Sequence, residues 1–369
     1  MNIAIVLPYL KAGGTERQAS YIANYLSEAG HNVIVFCIEK NDIMQKEFDV
    51  PVKYLHSKNS TLKILINVNL LGKSLKKFRA DIVISRAWST NTITTAAAMR
   101  LGIPSVIFLS GSIDLSGHTF FKKKIHQYFV NKATHIISVS HKAKENCIKW
   151  LKTDGDKISV VHNGIDVYKI TEYSEETELL PKVLLKNQTV NIVFVGRLIH
   201  RKGLDILLNS ISEIIKNGRK LHLTVIGDGD KKQEYFTQIK LLDIAENVTF
   251  VGEQKNPFPF MSKADIFVLP SRSEGFPNVL LEAMALSIPV IAANCETGPS
   301  EILNDENGLL AVPGSVSSFV EKIEQLIMDH QLRIEMGAKG KETVINGFQL
   351  RNQLTCIEET VNNAYNNFD

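Results

Sequence analysis

Short apolar runs recur along this chain, each followed by a longer stretch with helical spacing. In the first half they are 3–7 (IAIVL), 33–38 (VIVFCI), 82–85 (IVIS), 105–109 (SVIFL) and 135–139 (HIISV). In the second half they are 191–195 (NIVFV), 221–226 (LHLTVI), 248–251 (VTFV), 265–269 (DIFVL) and 289–292 (PVIA). The runs are continuous rather than alternating, which marks strands buried on both faces. Helical patterns at 15–29, 90–100, 204–217, 231–243 and 277–286 lie between them. Strands that alternate with helices in this way build parallel sheets covered on both sides. Each half supplies enough strands for its own sheet, so the expected class is α/β with two doubly wound, Rossmann-like domains.

The length of 369 residues fits two such domains. The alternation breaks at 169–188, which is charged and aperiodic, so the expected organisation is a first domain over 1–168, a linker over 169–188 and a second domain over 189–349. A last polar helix over about 350–369 is expected to pack back onto the first domain. No run of about 18 apolar residues is found, so no spanning helix is expected. No signal-peptide pattern precedes Ile3, and the four cysteines (Cys37, Cys147, Cys295, Cys356) form no CxxC pair. Reduced cysteines in a cytoplasmic protein are the expectation, rather than a disulfide framework or a zinc knuckle.

Charge is distributed unevenly. Residues 1–168 hold 22 Lys and Arg against 12 Asp and Glu, a net +10, whereas residues 169–369 hold 20 against 27, a net −7. The basic clusters are Lys73/Lys76/Lys77/Arg79 and Lys122/Lys123/Lys124, the second beside Phe120, Phe121, Tyr128 and Phe129. That combination suits peripheral contact with an anionic membrane, and a solvated helix face is the alternative. No nucleic-acid reader motif accompanies the charge, so no nucleic-acid partner is expected.

In open α/β sheets ligands sit beyond the carboxyl ends of the strands. After the first strand comes KAGGTER (11–17), whose glycines admit a ligand close to the backbone ahead of a helix start. The spacing is not GxGxxG, so no dinucleotide fingerprint is present. The first strand of the second half runs into Gly196-Arg197 and on to Lys202-Gly203. A forked donor and a point charge on one loop can neutralise two linked phosphates, or can be two solvated cations. Asp228/Asp230 and Asp154/Asp156 have the Asp-x-Asp spacing of some metal sites, but such pairs are common in turns. In SRSEGFPNVLLEAMA (271–285), Glu274 precedes a helix that Pro277 is expected to open, and Glu282 lies one turn inside it. Asn278 and Glu282 share a face. Two carboxylates around free helix-start N–H groups suit a ligand with an anionic middle and hydroxylated ends, such as a nucleotide-sugar. A dipole-matched cap would explain one glutamate but not both.

With these motifs the chain resembles the retaining GT-B-fold glycosyltransferases of family 4 (glycosyl transferases group 1), of the type that builds cell-surface polysaccharides. The resemblance rests on GGTERQ (13–18), SVSHKAKEN (138–146), VVHNGID (160–166), VGRLIHRKGLDILL (195–208), VIGDGD (225–230), VTFVG (248–252) and PSRSEGFPNVLLEAMALSIPVIA (270–292). It implies two Rossmann-like domains facing a central cleft, the first for acceptor and the second for donor. It further implies that Arg197 and Lys202 hold the donor diphosphate, that Glu282 binds the ribose and that Glu274 lies beside the transferred sugar. Gly275, Phe276, Pro277 and Asn278 belong to the same donor contact. Gly14 matches the first-domain loop over the diphosphate, Gly252 and Glu253 match the base-binding position, and Asn163 lies in the interdomain loop. His118 matches the first-domain histidine facing the reacting carbon, although Thr119 follows it where the family has Asp or Gly, and Asp114 competes for the role.

The function this implies is transfer of a hexose or N-acetylhexosamine, with retention, from a UDP-sugar to a saccharide or lipid-linked saccharide acceptor. No cofactor and no metal are expected, because the two cations would stabilise the departing diphosphate. The alternatives are a GT-B-type UDP-sugar epimerase, which needs no acceptor, and a non-catalytic nucleotide-sugar-binding protein.

Overall fold

The computed structural model describes residues 1–11, 13–55, 63–109, 120–153, 155–176 and 189–368. The chain divides into two compact units, Met1–Asn163 with Arg351–Asp369, and Gly164–Leu350.

The first unit is a parallel sheet of β1 (Asn2–Leu7), β2 (Asn32–Cys37), β3 (Val52–Tyr54), β4 (Ile82–Ser85), β5 (Ser105–Leu109), β6 (His135–Ser138) and β7 (Ile158–Val160). Their spatial order is β3-β2-β1-β4-β5-β6-β7. The helices are α1 (Gly14–Glu28), α2 (Lys63–Phe78), α3 (Trp88–Leu101), α4 (Phe120–Asn131) and α5 (His141–Leu151). One face of the sheet packs Val6, Ile34, Phe36 and Val83 against α2 and α3, and Ile107 and Ile136 join a second cluster with Val130, Cys147 and Leu151. The central strands are thus buried on both faces, which accounts for their unbroken apolar runs.

The second unit carries α6 (Val167–Ser174), β8 (Val190–Val195), α7 (Leu204–Lys216), β9 (Leu221–Ile226), α8 (Lys232–Leu241), β10 (Val248–Gly252), α9 (Phe258–Met261) and β11 (Ile266–Leu269). It continues with α10 (Asn278–Ala285), β12 (Val290–Ala293), α11 (Pro299–Ile302), β13 (Leu309–Ala311), α12 (Val316–Met328) and α13 (His330–Gly347). Its parallel sheet is ordered β10-β9-β8-β11-β12-β13. Ile192, Phe194, Val225, Val268 and Ile291 form one core with Leu204, Leu207, Leu208 and Ile211 of α7. The last helix, α14 (Leu350–Asn366), belongs almost entirely to the first unit and buries Leu354, Ile357 and Val361. Its Glu358 carboxylate accepts a hydrogen bond from Tyr25 Oη of α1 (3.1 Å) and lies 3.5 Å from His31 Nε2.

Four points differ from the sequence expectation. The strands β3, β7 and β13 are additional; each has three residues and lies at a sheet edge, where no long apolar run is needed. The segment expected as linker begins as a helix, because the Asp166 carboxylate caps α6 by accepting the Lys169 N–H at 3.0 Å. The units divide between Asn163 and Gly164, ahead of 169–188. Pro277 is the N-cap of α10 rather than its first residue, with ψ at 95°.

Candidate active site

In a doubly wound sheet the strand order reverses at one point, and ligands bind in the crevice there. In the second unit that point lies between β8 and β11. Two turns leave it. One follows β8 and runs through Gly196, Arg197 and a single 3-10 turn, His200–Lys202, into α7. The other follows β11 and runs from Pro270 to Pro277 into α10.

The first turn is forced close to its neighbours by glycine. Gly203 has φ +69°, and a Cβ there would collide with the Pro270 carbonyl. Gly227 and Gly229 likewise pass against the backbone of Gly196 and Leu198, where any side chain would clash. Leu198 N–H donates to the Asp228 carbonyl at 2.8 Å and Gly227 N–H to the Gly252 carbonyl at 2.8 Å. The turns after β8, β9 and β10 are thereby tied into one shelf.

On that shelf the Lys202 ammonium meets the Glu274 carboxylate at 2.5 Å, with side chains only 14% and 7% exposed. The same Glu274 oxygen accepts from Ser271 Oγ at 2.6 Å. Thr297 Oγ1 donates to the Glu274 carbonyl, and the Cys295 thiol donates to the Ser271 carbonyl at 2.9 Å. Burial, with Glu274 nearby, pushes the Cys295 thiol up to about 11, which keeps the donating proton on sulfur. Gly298, at φ +94°, lies so close that a Cβ would strike the Gly275 carbonyl and the Pro277 ring. The Glu274 turn is thus held from both sides.

The remaining expected residues of this unit also follow strand ends. Glu282 is buried one turn inside α10 at 9% exposure, Phe276 is buried with its ring 5.7 Å from that of Phe348, and Asn278 opens the helix half-buried. Gly252 ends β10 at φ +75°, followed by the exposed Glu253. Arg197 is exposed and makes no ion pair among the described residues. Of the Asp-x-Asp pairs, Asp228 is engaged by Lys232 at 2.7 Å, whose hydrogen bond holds its carboxyl below the usual range, and Asp154 lies outside the described residues.

In the first unit, Gly14 opens α1 behind an extended Gly13. Asn163 is buried, and its Oδ1 accepts from Arg86 Nη2 at 3.2 Å and Gln353 Nε2 at 3.3 Å. His118 and its competitor Asp114 lie outside the described residues.

Sequence reasoning did not single out two charged groups. Arg86 follows β4 at the first sheet's own reversal point, its N–H donating to the Val6 carbonyl of β1 at 3.5 Å. Only 6% exposed, it stacks 4.4 Å over the Phe108 ring, and its Nε and Nη1 are buried without a partner among the described residues. Burial pushes this guanidinium down to about 9 despite the opposing pull of Glu16. Arg272, in the second unit, forks onto Asp205 of α7 with bonds of 2.8 and 2.6 Å. Burial raises the Asp205 carboxyl, but the Arg272 hydrogen bonds and charge outweigh it and the net shift is downward. Both partnerships cross long stretches of chain, so no local spacing announces them.

Two family models divide the chain. Glycosyltransferase Family 4 matches residues 12–169 and Glycosyl transferases group 1 matches residues 175–343. The chain is 30% identical to the capsular polysaccharide biosynthesis glycosyltransferase CapM of Staphylococcus aureus, over 91% of this chain and 90% of CapM. It is 29% identical to an Escherichia coli UDP-Gal:alpha-D-GlcNAc-diphosphoundecaprenol alpha-1,3-galactosyltransferase, over 81% and 80% of the two chains. The solved structure of Anabaena Alr3699/HepE in complex with UDP-glucose matches with a TM-score of 0.86 at 20% identity, covering 98% of this chain and 99% of that one. Two parallel-sheet units, each with its reversal point, and a relative matched nearly end to end place this chain in the group 1, family 4 glycosyltransferases, with the GT-B fold.

Proposed function

We propose that this glycosyltransferase moves a hexose or N-acetylhexosamine, with retention and without a metal, from a UDP-sugar to a saccharide or lipid-linked saccharide acceptor in cell-surface polysaccharide synthesis. The observation that carries the reading is the pairing of half-buried Lys202 with buried Glu274 at the second sheet's reversal point. A cation held there is poised to exchange its carboxylate partner for a diphosphate. The E. coli relative is named for a UDP-sugar donor and a diphosphoundecaprenol-linked acceptor, and the HepE structure holds UDP-glucose.

The steps follow from charge. The bond from the sugar's anomeric carbon to the diphosphate oxygen breaks, the acceptor's hydroxyl oxygen bonds to that carbon on the same face and its proton passes to the departing diphosphate, on which negative charge grows meanwhile. Arg197 and Lys202 neutralise it, as donors placed ahead of the reaction do. As Lys202 turns to phosphate, Glu274 keeps its Ser271 bond and presents its carboxylate to the sugar's hydroxyls. Glu282 accepts from the ribose diol, and Gly252 with Glu253 borders the base. With two cations doing this work, no divalent ion is required.

The test is donor turnover in Lys202→Ala and in Lys202→Gln, which retains a hydrogen-bond donor for Glu274. A fall of about 100- to 1000-fold is expected in both, equivalent to roughly 2.7–4 kcal/mol of barrier. Undiminished turnover in a folded variant rejects the site. Product formed from UDP-sugar without acceptor would instead mark an epimerase.

The basic first unit is proposed to meet anionic lipid from the cytoplasmic side. Lys73, Lys76, Lys77 and Arg79 are exposed at the end of α2, and Lys122, Lys124 and the 54%-exposed Tyr128 lie on α4. No helix among the described residues is long and apolar enough to cross a membrane.

A further inference from the structure

The two turns at the second reversal point are joined in step. Arg272 Nη1 donates to the His200 carbonyl at 2.8 Å, Arg201 Nη1 donates to the Ser273 carbonyl at 3.3 Å, and Lys202 Nζ donates to Glu274 Oε1 at 2.5 Å. Each link joins residues 72 apart. Arg272 N–H adds a bond of 2.8 Å to the Arg201 carbonyl. The turns therefore lie side by side in one register, with Lys202 opposite Glu274.

One residue anchors that register to a rigid element. Arg272 spends one nitrogen on both the His200 carbonyl and Asp205 Oδ1 and the other on Asp205 Oδ2 at 2.6 Å. Asp205 sits in the first turn of α7, immediately after the Gly203 bend that carries the turn past Pro270. A planar fork fixes direction as well as distance, which a single ammonium cannot do. Neither Arg272 nor Asp205 occupies a position assigned to the donor.

We propose that Arg272, braced by Asp205, is a positioning residue: it sets the register of the two turns so that the Lys202 ammonium stands where the donor's diphosphate leaves. The inference rests on the donor-binding role proposed above for Lys202. A misplacement of about 1 Å at a reacting group can lower a rate by roughly 100-fold. The effect of Arg272 is therefore indirect and must pass through Lys202.

The experiment is a double-mutant cycle on UDP affinity, measured by titration calorimetry with wild type, Arg272→Lys, Lys202→Gln and the double variant. Folding is checked by thermal unfolding, and Asp205→Asn serves as a second way to open the fork. Arg272→Lys and Asp205→Asn are each expected to weaken UDP binding by about tenfold, a coupling of the size seen for neighbouring groups in one network. In the Lys202→Gln background the Arg272→Lys change should have little further effect. Unchanged UDP affinity in Arg272→Lys, or equal losses in both backgrounds, overturns the positioning role. Failure of the wild type to bind UDP, or full affinity in Lys202→Gln, overturns the donor reading beneath it instead.

Discussion

The two reversal points of this molecule handle a cation in opposite ways. In the second unit, Lys202 is met by a carboxylate at 2.5 Å, and the turns around it are laced by side-chain and backbone bonds. In the first unit, Arg86 is buried more deeply, donates to an amide oxygen, stacks on an aromatic face, and leaves two nitrogens without partners among the described residues. Both sheets follow the same strand order about their reversal points, the first adding a seventh strand at its far edge, so the difference at these points lies in the loops. A doubly wound sheet supplies a shelf, and the residues set on it decide whether a charge is held ready or held tight.

The sharpest test of this contrast removes both cations in the same manner. Lys202→Met should cost about 3 kcal/mol of stability, because Glu274 would remain buried without its partner. Arg86→Met should leave stability unchanged or raise it by about 1 kcal/mol, because a buried cation with no ion-pair partner among the described residues is replaced by an apolar chain. Urea unfolding of the two variants reads both signs. A clear loss in Arg86→Met would show that Glu16 compensates the guanidinium after all.

The glycines sharpen the same comparison. Gly203→Ala adds a collision with the Pro270 carbonyl to a left-handed backbone and should cost about 2–3 kcal/mol. Gly102→Ala, in the first unit, has a similar φ of +64° with open space around it and should cost only about 1 kcal/mol. Equal losses would mean that the turn after β8 is freer to shift than its packing indicates.

The smallest expected effect concerns the surfaces. Vesicles containing anionic lipid should retain the protein at low salt and release it as salt rises, since exposed charges are screened within about 10 Å at 0.1 M. Replacing Lys122 and Lys124 by Gln should weaken retention, whereas replacing exposed lysines of the acidic second unit should not. Absence of binding at low salt removes the membrane from the proposal.

The central strands were legible because burial on both faces leaves an unbroken apolar run, as in Ile3–Leu7 and Ile266–Leu269. Edge strands such as Val52–Tyr54 have one open side, so three residues of mixed character suffice and no run forms. The helix α6 was hidden because its eight residues run into the charged stretch that follows Ser174, although Asp166 is a cap that sequence can show. At the site, charges at strand ends could be read directly: Lys202 and Glu274 were both singled out. Their being bonded to one another could not, nor could the fork from Arg272 to Asp205, because pairing across some 70 residues is set by the fold rather than by spacing.

The composition of the first unit also bears on how the chain is made. Its last helix, α14, is encoded after the whole of the second unit. During synthesis the second unit, which is continuous from Gly164 to Leu350, can close as soon as it has left the ribosome. The first unit emerges earlier yet must wait for Leu354, Ile357 and Val361 before its packing is complete. The half that starts first therefore finishes last, and truncation at the far end of the chain should be felt in the domain that begins it.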